Sequence, residues 1–129
     1  MFRPAVILFG VLATCAALAG CAHKAPLTPQ GEVVVVATGA PRQPVAAKLR
    51  NLVRIQLPPV QTAGHAWTIV AHDYRFLQPR GPLTVAPDGS AEASFIAIRP
   101  GRRPVRFLAL PPGAVAVPSQ AAEIVVTIQ

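Results

Sequence analysis

Cysteine is nearly missing from this 129-residue chain: there are two, Cys15 and Cys21, and none beyond position 21. The rest of the chain therefore has no disulfide framework, no cysteine nucleophile and no thiolate metal site. Acidic residues are also scarce, five against twelve Lys and Arg, which leaves a formal net charge of +7. Trp67 and Tyr74 are the sole Trp and Tyr. No aromatic stacking series accompanies the arginines, so nucleic acid is not an expected partner. His23, His65 and His72 are scattered without ligand spacing, so no metal site is expected. A glycine-rich phosphate loop, an internal repeat and a sustained helical period are all missing, and fifteen prolines would break most long helices. No cofactor is expected.

What is present begins with the run Val6–Cys21, VILFGVLATCAALAGC, preceded by Arg3. Its apolar stretch is too short to span a bilayer as a stable helix, and small residues close it, as in a secretory signal. The last four residues, Leu18-Ala19-Gly20-Cys21, resemble the lipobox of bacterial lipoproteins. The resemblance implies that residues 1–20 are a removed signal peptide and that Cys21 becomes a lipidated first residue. Several acyl chains, at roughly 0.8 kcal/mol per buried methylene, hold a protein on a membrane where one chain would not. Ala22 rather than an acidic residue follows, which in such lipoproteins implies the outer membrane of a bacterial cell envelope. Cys15 then leaves with the signal, and loss of Arg3 lowers the charge from +7 to +6. In that compartment a basic surface suits anionic lipid headgroups or an acidic protein.

Residues 21–31 read as a short tether, and residues 32–129 are enough for one small domain with one core. From Glu32 onward, short β-type runs are separated by Pro and Gly: Glu32–Thr38, Leu49–Leu57, Ala66–Ala71, Leu83–Ala86, Ala91–Arg99, Val105–Leu110 and Ala121–Ile128. Apolar residues take every second position in Val53-Arg54-Ile55-Gln56-Leu57, and again at Ile124, Val126 and Ile128. Pro87-Asp88-Gly89 is a turn sequence, and Arg99-Pro100-Gly101 predicts a hairpin between two strands. About seven short strands with frequent turn signals predict an all-β, immunoglobulin-like β-sandwich.

Two stretches, Arg54-Ile55-Gln56-Leu57-Pro58 and Thr62-Ala63-Gly64-His65-Ala66-Trp67-Thr68-Ile69-Val70, resemble the chagasin-like inhibitors of papain-family cysteine proteases. In that family such a strand runs into an Asn-Pro-Thr-Thr-Gly loop, followed by a tryptophan that opens the next strand. The resemblance continues through Asp88-Gly89-Ser90, Phe95, Gly101 and Glu123–Ile128. It implies an immunoglobulin-like sandwich that presents three loops to a protease cleft. The implied protease-binding loops are Thr62, Ala63, Gly64 and His65, then Gly89, then Pro111, Pro112 and Gly113. Thr62, Gly64 and Trp67 match the family pattern, whereas Val60, Gln61 and Ala63 depart from it. The third loop of the family carries Arg-Pro-Trp, and of these only the central proline survives here. Buried arginines and aromatics are the usual interface anchors, so weak inhibition is expected.

Trp67 opens an apolar strand and reads as a structural, core aromatic. His72-Asp73 is not read as a catalytic pair, because neighbours on an extended strand point to opposite faces. The densest charge is Arg99, Arg102, Arg103 and Arg106. It is either a solvated hairpin that protects a sheet edge or an anionic docking patch at the pole opposite the three loops. Two functions remain open, neither of them enzymatic. One is a membrane-anchored inhibitor of a papain-like cysteine protease. The other is a non-inhibitory immunoglobulin-like envelope lipoprotein, a structural or adaptor module.

Overall fold

In Val53-Arg54-Ile55-Gln56-Leu57 the three apolar side chains are buried, while Arg54 and Gln56 are only half covered. One face of such a strand must meet a second layer. The computed structural model, which describes residues 27–113 and 117–129, shows that layer. Its nine strands are β1 (Glu32–Val36), β2 (Gln43–Ala47), β3 (Leu52–Leu57), β4 (Ala66–Ala71), β5 (Leu77–Pro79), β6 (Thr84–Val85), β7 (Ala91–Ala97), β8 (Gly101–Leu110) and β9 (Gln120–Ile128). One sheet has the order β1-β3-β7-β5, with β6 also on β7; the other has the order β2-β9-β8-β4. The edge strands β1 and β2 run parallel to β3 and β9, and all other pairs are antiparallel. The fold is an immunoglobulin-like β-sandwich. The signal peptide and Cys21 lie outside the described residues.

The inward rows of β3 and β9 are those predicted by alternation, and β7 and β8 complete the core. Val53, Ile55 and Leu57 of β3 and Phe95 of β7 face Val105 and Phe107 of β8 and Ile124, Val126 and Ile128 of β9 in one buried cluster. All its buried members lie between Val35 and Ile128 and all strands between Glu32 and Ile128. A chain that begins at Ala22 thus keeps every strand and core residue found among the described residues, and carries what the domain needs to fold by itself. On the outer face of the first sheet, Arg54 ties β1 to β7 through Glu32 at 2.6 Å and Glu92 at 2.7 Å.

Nine strands are found where seven are expected. The two additional ones are β2, QPVAA, and β5, LQP. Each carries a proline and lies at a sheet edge, where a missing amide breaks no ladder. Proline also masked the start of β8, which begins at Gly101 rather than Val105. β4 joins β8 only from Arg106 onward, so Pro104 meets a single neighbouring strand.

The expected hairpin at Arg99–Gly101 is not formed. β7 already has β3 along one edge and β5 and β6 along the other, so β8 cannot pair with it. The chain instead crosses to the second sheet at the base of the sandwich. Gly101 makes the crossing possible: a Cβ there would lie 2.6 Å from Cε1 of Phe76.

Phe76 closes the base from below, with the Arg103 guanidinium 4.0 Å above its ring centroid. The Arg103 Nε reaches Asp73 Oδ2 at 3.3 Å, and Asp73 also accepts from the backbone amide, Nε and Nη2 of Arg75. His72 and Asp73 belong to the β4–β5 loop rather than to an extended strand. The His72 ring stacks against Tyr74, with centroids 4.2 Å apart, and does not pair with the carboxylate.

Hydrogen bonds from Arg75 hold the Asp73 carboxyl down to about 2, from an ordinary 3.8. A depressed carboxylate contributes stability above its unfolded value and loses it as pH falls through the folded one. Between pH 3.8 and about 2, the wild type is expected to lose stability more steeply than Asp73→Asn. Urea midpoints measured across that range check this.

Candidate functional site

Strand direction decides which loops meet. β3 and β1 run up the sandwich, β4 and β7 run down, β8 runs up and β9 runs down; the registers Leu57 to Ala91 and Ala66 to Leu110 align their upper ends. The segments 58–65, 86–90 and 111–113 therefore emerge at one pole. They contain all eight residues of the expected binding loops.

Contacts between the loops keep them together. A Cβ on Gly89 would meet the Val60 nitrogen at 3.1 Å, so the second loop rests directly on the first. Gln61 donates its backbone amide to Gln120 Oε1 at 2.9 Å, which ties the first loop to the strand leaving the third. His65 Nδ1 lies 3.4 Å from the Ala109 carbonyl, a long contact to the strand entering the third loop.

The first loop has a stiff root and an open tip. At its root, the Trp67 indole N–H donates to the Pro58 carbonyl at 2.7 Å, and the ring is 4% exposed. At its tip, the His65 amide donates to the Thr62 carbonyl at 3.2 Å, closing a tight turn over Ala63 and Gly64. Thr62, Ala63 and Gly64 are exposed and His65 is half-buried. Gly64 has a φ of +81° with no atom near its missing Cβ, so the tip is a thin ridge of backbone.

The second loop turns through Gly89 at a φ of +83°, with the Gly89 amide donating to Ala86. Asp88 accepts from both the amide and the hydroxyl of Ser90, which hold its carboxyl below the usual range. In the third loop Pro111 is half-buried, and Pro112 and Gly113 are exposed. Asp88 is the sole formal charge among the described residues of the three loops.

Together the three loops form a wedge of small, almost uncharged residues. The sandwich is shared with proteins of known structure. The chain superposes on the cysteine protease inhibitor EhICP2 from Entamoeba histolytica with a TM-score of 0.60 and 14% identity, over 77% of this chain and 96% of that one. It superposes on amebosin with a TM-score of 0.56 and 14% identity, over 79% of this chain and the whole of that one. No protein family matches the chain by sequence, and no curated protein does either.

One neighbour of the site was not legible in the sequence. The β1–β2 loop also rises to this pole, where Gln43 accepts from the Thr38 amide and donates to the Val36 carbonyl. With Pro58, Gln61, Trp67 and Gln120 it borders a cleft of about 350 Å³. Gln43 lies in the proline-bearing strand that shows no alternation, so only the side-chain bonds reveal its role.

The Arg99–Arg106 cluster is divided by the pleat. Arg102 and Arg106 point outward from β8 and are exposed, whereas Arg103 turns inward to Phe76 and Asp73. Arg99 lies in the crossing, with its guanidinium 5.6 Å from the Phe76 centroid.

Replacing Trp67 with alanine is expected to cost about 3–5 kcal/mol of unfolding free energy. Trp67→Phe keeps most of the packing but orphans the Pro58 carbonyl, at about 1–3 kcal/mol. Chemical denaturation of both variants measures the two contributions separately.

Proposed function

We propose that this chain is a lipid-anchored inhibitor of a papain-like cysteine protease, displayed on a bacterial envelope. The observation that carries the reading is the gathering of three short, almost uncharged loops at one pole, with Thr62–Gly64 as their exposed tip. A thin backbone ridge fits a narrow active-site cleft, and the sandwich beneath it is shared with a cysteine protease inhibitor of known structure. The protein in this reading binds and obstructs; it does not catalyse. Gly89 and Pro111–Gly113 flank the ridge and limit how it tilts in the cleft.

The missing anchors make the inhibition weak. Pro111 and Gly113 stand where the chagasin-like pattern has arginine and tryptophan, the residue types that most often dominate interfaces. A papain inhibition assay of the Ala22–Gln129 chain is expected to show micromolar rather than nanomolar binding. Pro111→Arg with Gly113→Trp is expected to tighten it, at about 2 kcal/mol for each anchor that finds a pocket. Gly64→Trp, which blunts the ridge, is expected to abolish it. If neither the native nor the restored loop binds any papain-type enzyme, the loops serve an adaptor module instead.

Anchoring is proposed through Cys21, on the outer membrane, from the lipobox-like Leu18–Cys21 and the Ala22 that follows. Metabolic labelling with a fatty-acid analogue is expected to mark the wild type and to leave Cys21→Ser unmarked.

A further inference from the structure

We propose that the base of the sandwich, the pole opposite the three loops, is a docking surface for the anionic headgroups of a lipid bilayer. It would hold the domain upright, with the loops facing away from the membrane. The proposal extends the reading of Cys21 as a lipid anchor, but its own support is the distribution of charge.

The β2–β3, β4–β5 and β7–β8 loops and the first residues of β8 form this base. They bring Lys48, Arg50, Arg75, Arg99, Arg102 and Arg103 to one end of the molecule, where the side-chain carboxylates are Asp73 and, at the start of β1, Glu32, which is paired with Arg54. Asp73 is already taken by Arg75 and Arg103. Lys48, Arg50, Arg99 and Arg102 are exposed, and none of the four pairs with a carboxylate among the described residues.

Two large side chains with apolar surface stand in the open among these cations: Leu49, 42% exposed, and Tyr74, 68% exposed. An exposed tyrosine at the same pole as several Lys and Arg is a composition that collects at the membrane–water interface, where the ring is half in apolar surroundings and the charges meet phosphates.

The path of the chain points the same way. The Gln30 amide donates to the Arg50 carbonyl at 2.8 Å, and the Asn51 side-chain amide donates to the Gln30 carbonyl at 2.7 Å. From Leu27, whose carbonyl accepts from Arg80 Nη1 at 3.0 Å, the chain thus passes the turn that carries Lys48, Leu49 and Arg50 before it enters β1. The six Cα steps from Cys21 to Leu27 reach at most about 22 Å. Strand β8, with ten residues, spans about 33 Å. A tether shorter than the domain is long biases its entry end toward the bilayer. There each exposed cation near an anionic surface adds about fivefold to binding, an attraction that fades within a Debye length.

The test uses the Ala22–Gln129 chain, which lacks Cys21, so its outcome is independent of lipidation. It is expected to co-sediment with vesicles of phosphatidylcholine and phosphatidylglycerol and not with phosphatidylcholine alone, and to be released by salt. Arg50→Gln with Arg99→Gln is expected to weaken binding by about 25-fold. Arg42→Gln with Arg106→Gln removes the same charge away from the base and is expected to change binding no more than a few-fold. Equal losses from the two pairs would show that net charge alone is responsible and overturn the proposal. Failure to bind the anionic vesicles would overturn it too, as would retention on immobilised polyglutamate without vesicle binding, which would assign the base to an acidic protein.

Discussion

Every feature of this molecule depends on the burial of alternate side chains between two sheets. Phe95 from one sheet and Phe107 from the other are almost completely withdrawn from solvent, together with Ile55, Leu77 and Ile124. Each inward side chain fixes the phase of its strand, because a slip of one residue would expose the entire row. With phase and direction fixed, the loops have no freedom to choose their pole. The segments that follow β3, β6 and β8 must emerge at one end, and those that follow β2, β4 and β7 at the other.

The two ends are chemically opposite. At the loop pole, contacts are short and mostly uncharged: Trp67 to Pro58, Gln61 to Gln120, and Gly89 against Val60. At the base, arginines surround an aromatic ring, with Arg75, Arg99 and Arg103 all within 6.0 Å of the Phe76 centroid. The almost uncharged loop pole and the cationic base are thereby held apart by the length of the strands. For the proposed membrane-tethered inhibitor, that separation would leave the loops free to reach a protease in solution.

The readable and unreadable parts of the sequence differ for physical reasons. Strands β3 and β9 show themselves because one face of each is buried and the other is not. Strands β2 and β5 do not, because edge strands tolerate proline and need little alternation. The Arg99–Gly101 turn has the composition of a hairpin, yet both edges of β7 are occupied, and occupancy of an edge is a property of the assembled sheet. His72 and Asp73 follow β4 and look like its continuation, but the chain leaves the sheet after Ala71 to bring Asp73 under Arg103.

The sequence by itself determined the all-β class, the inward rows, the burial of Trp67 and the excess of positive charge. Each of these is local, carried by residue type and a period of two. Only the tertiary structure decided which loops share a pole, which arginines face the core and which face solvent, and where the chain passes between sheets. Those depend on strand order and direction, which are set by contacts between residues far apart in the chain and have no signature in any short window of it.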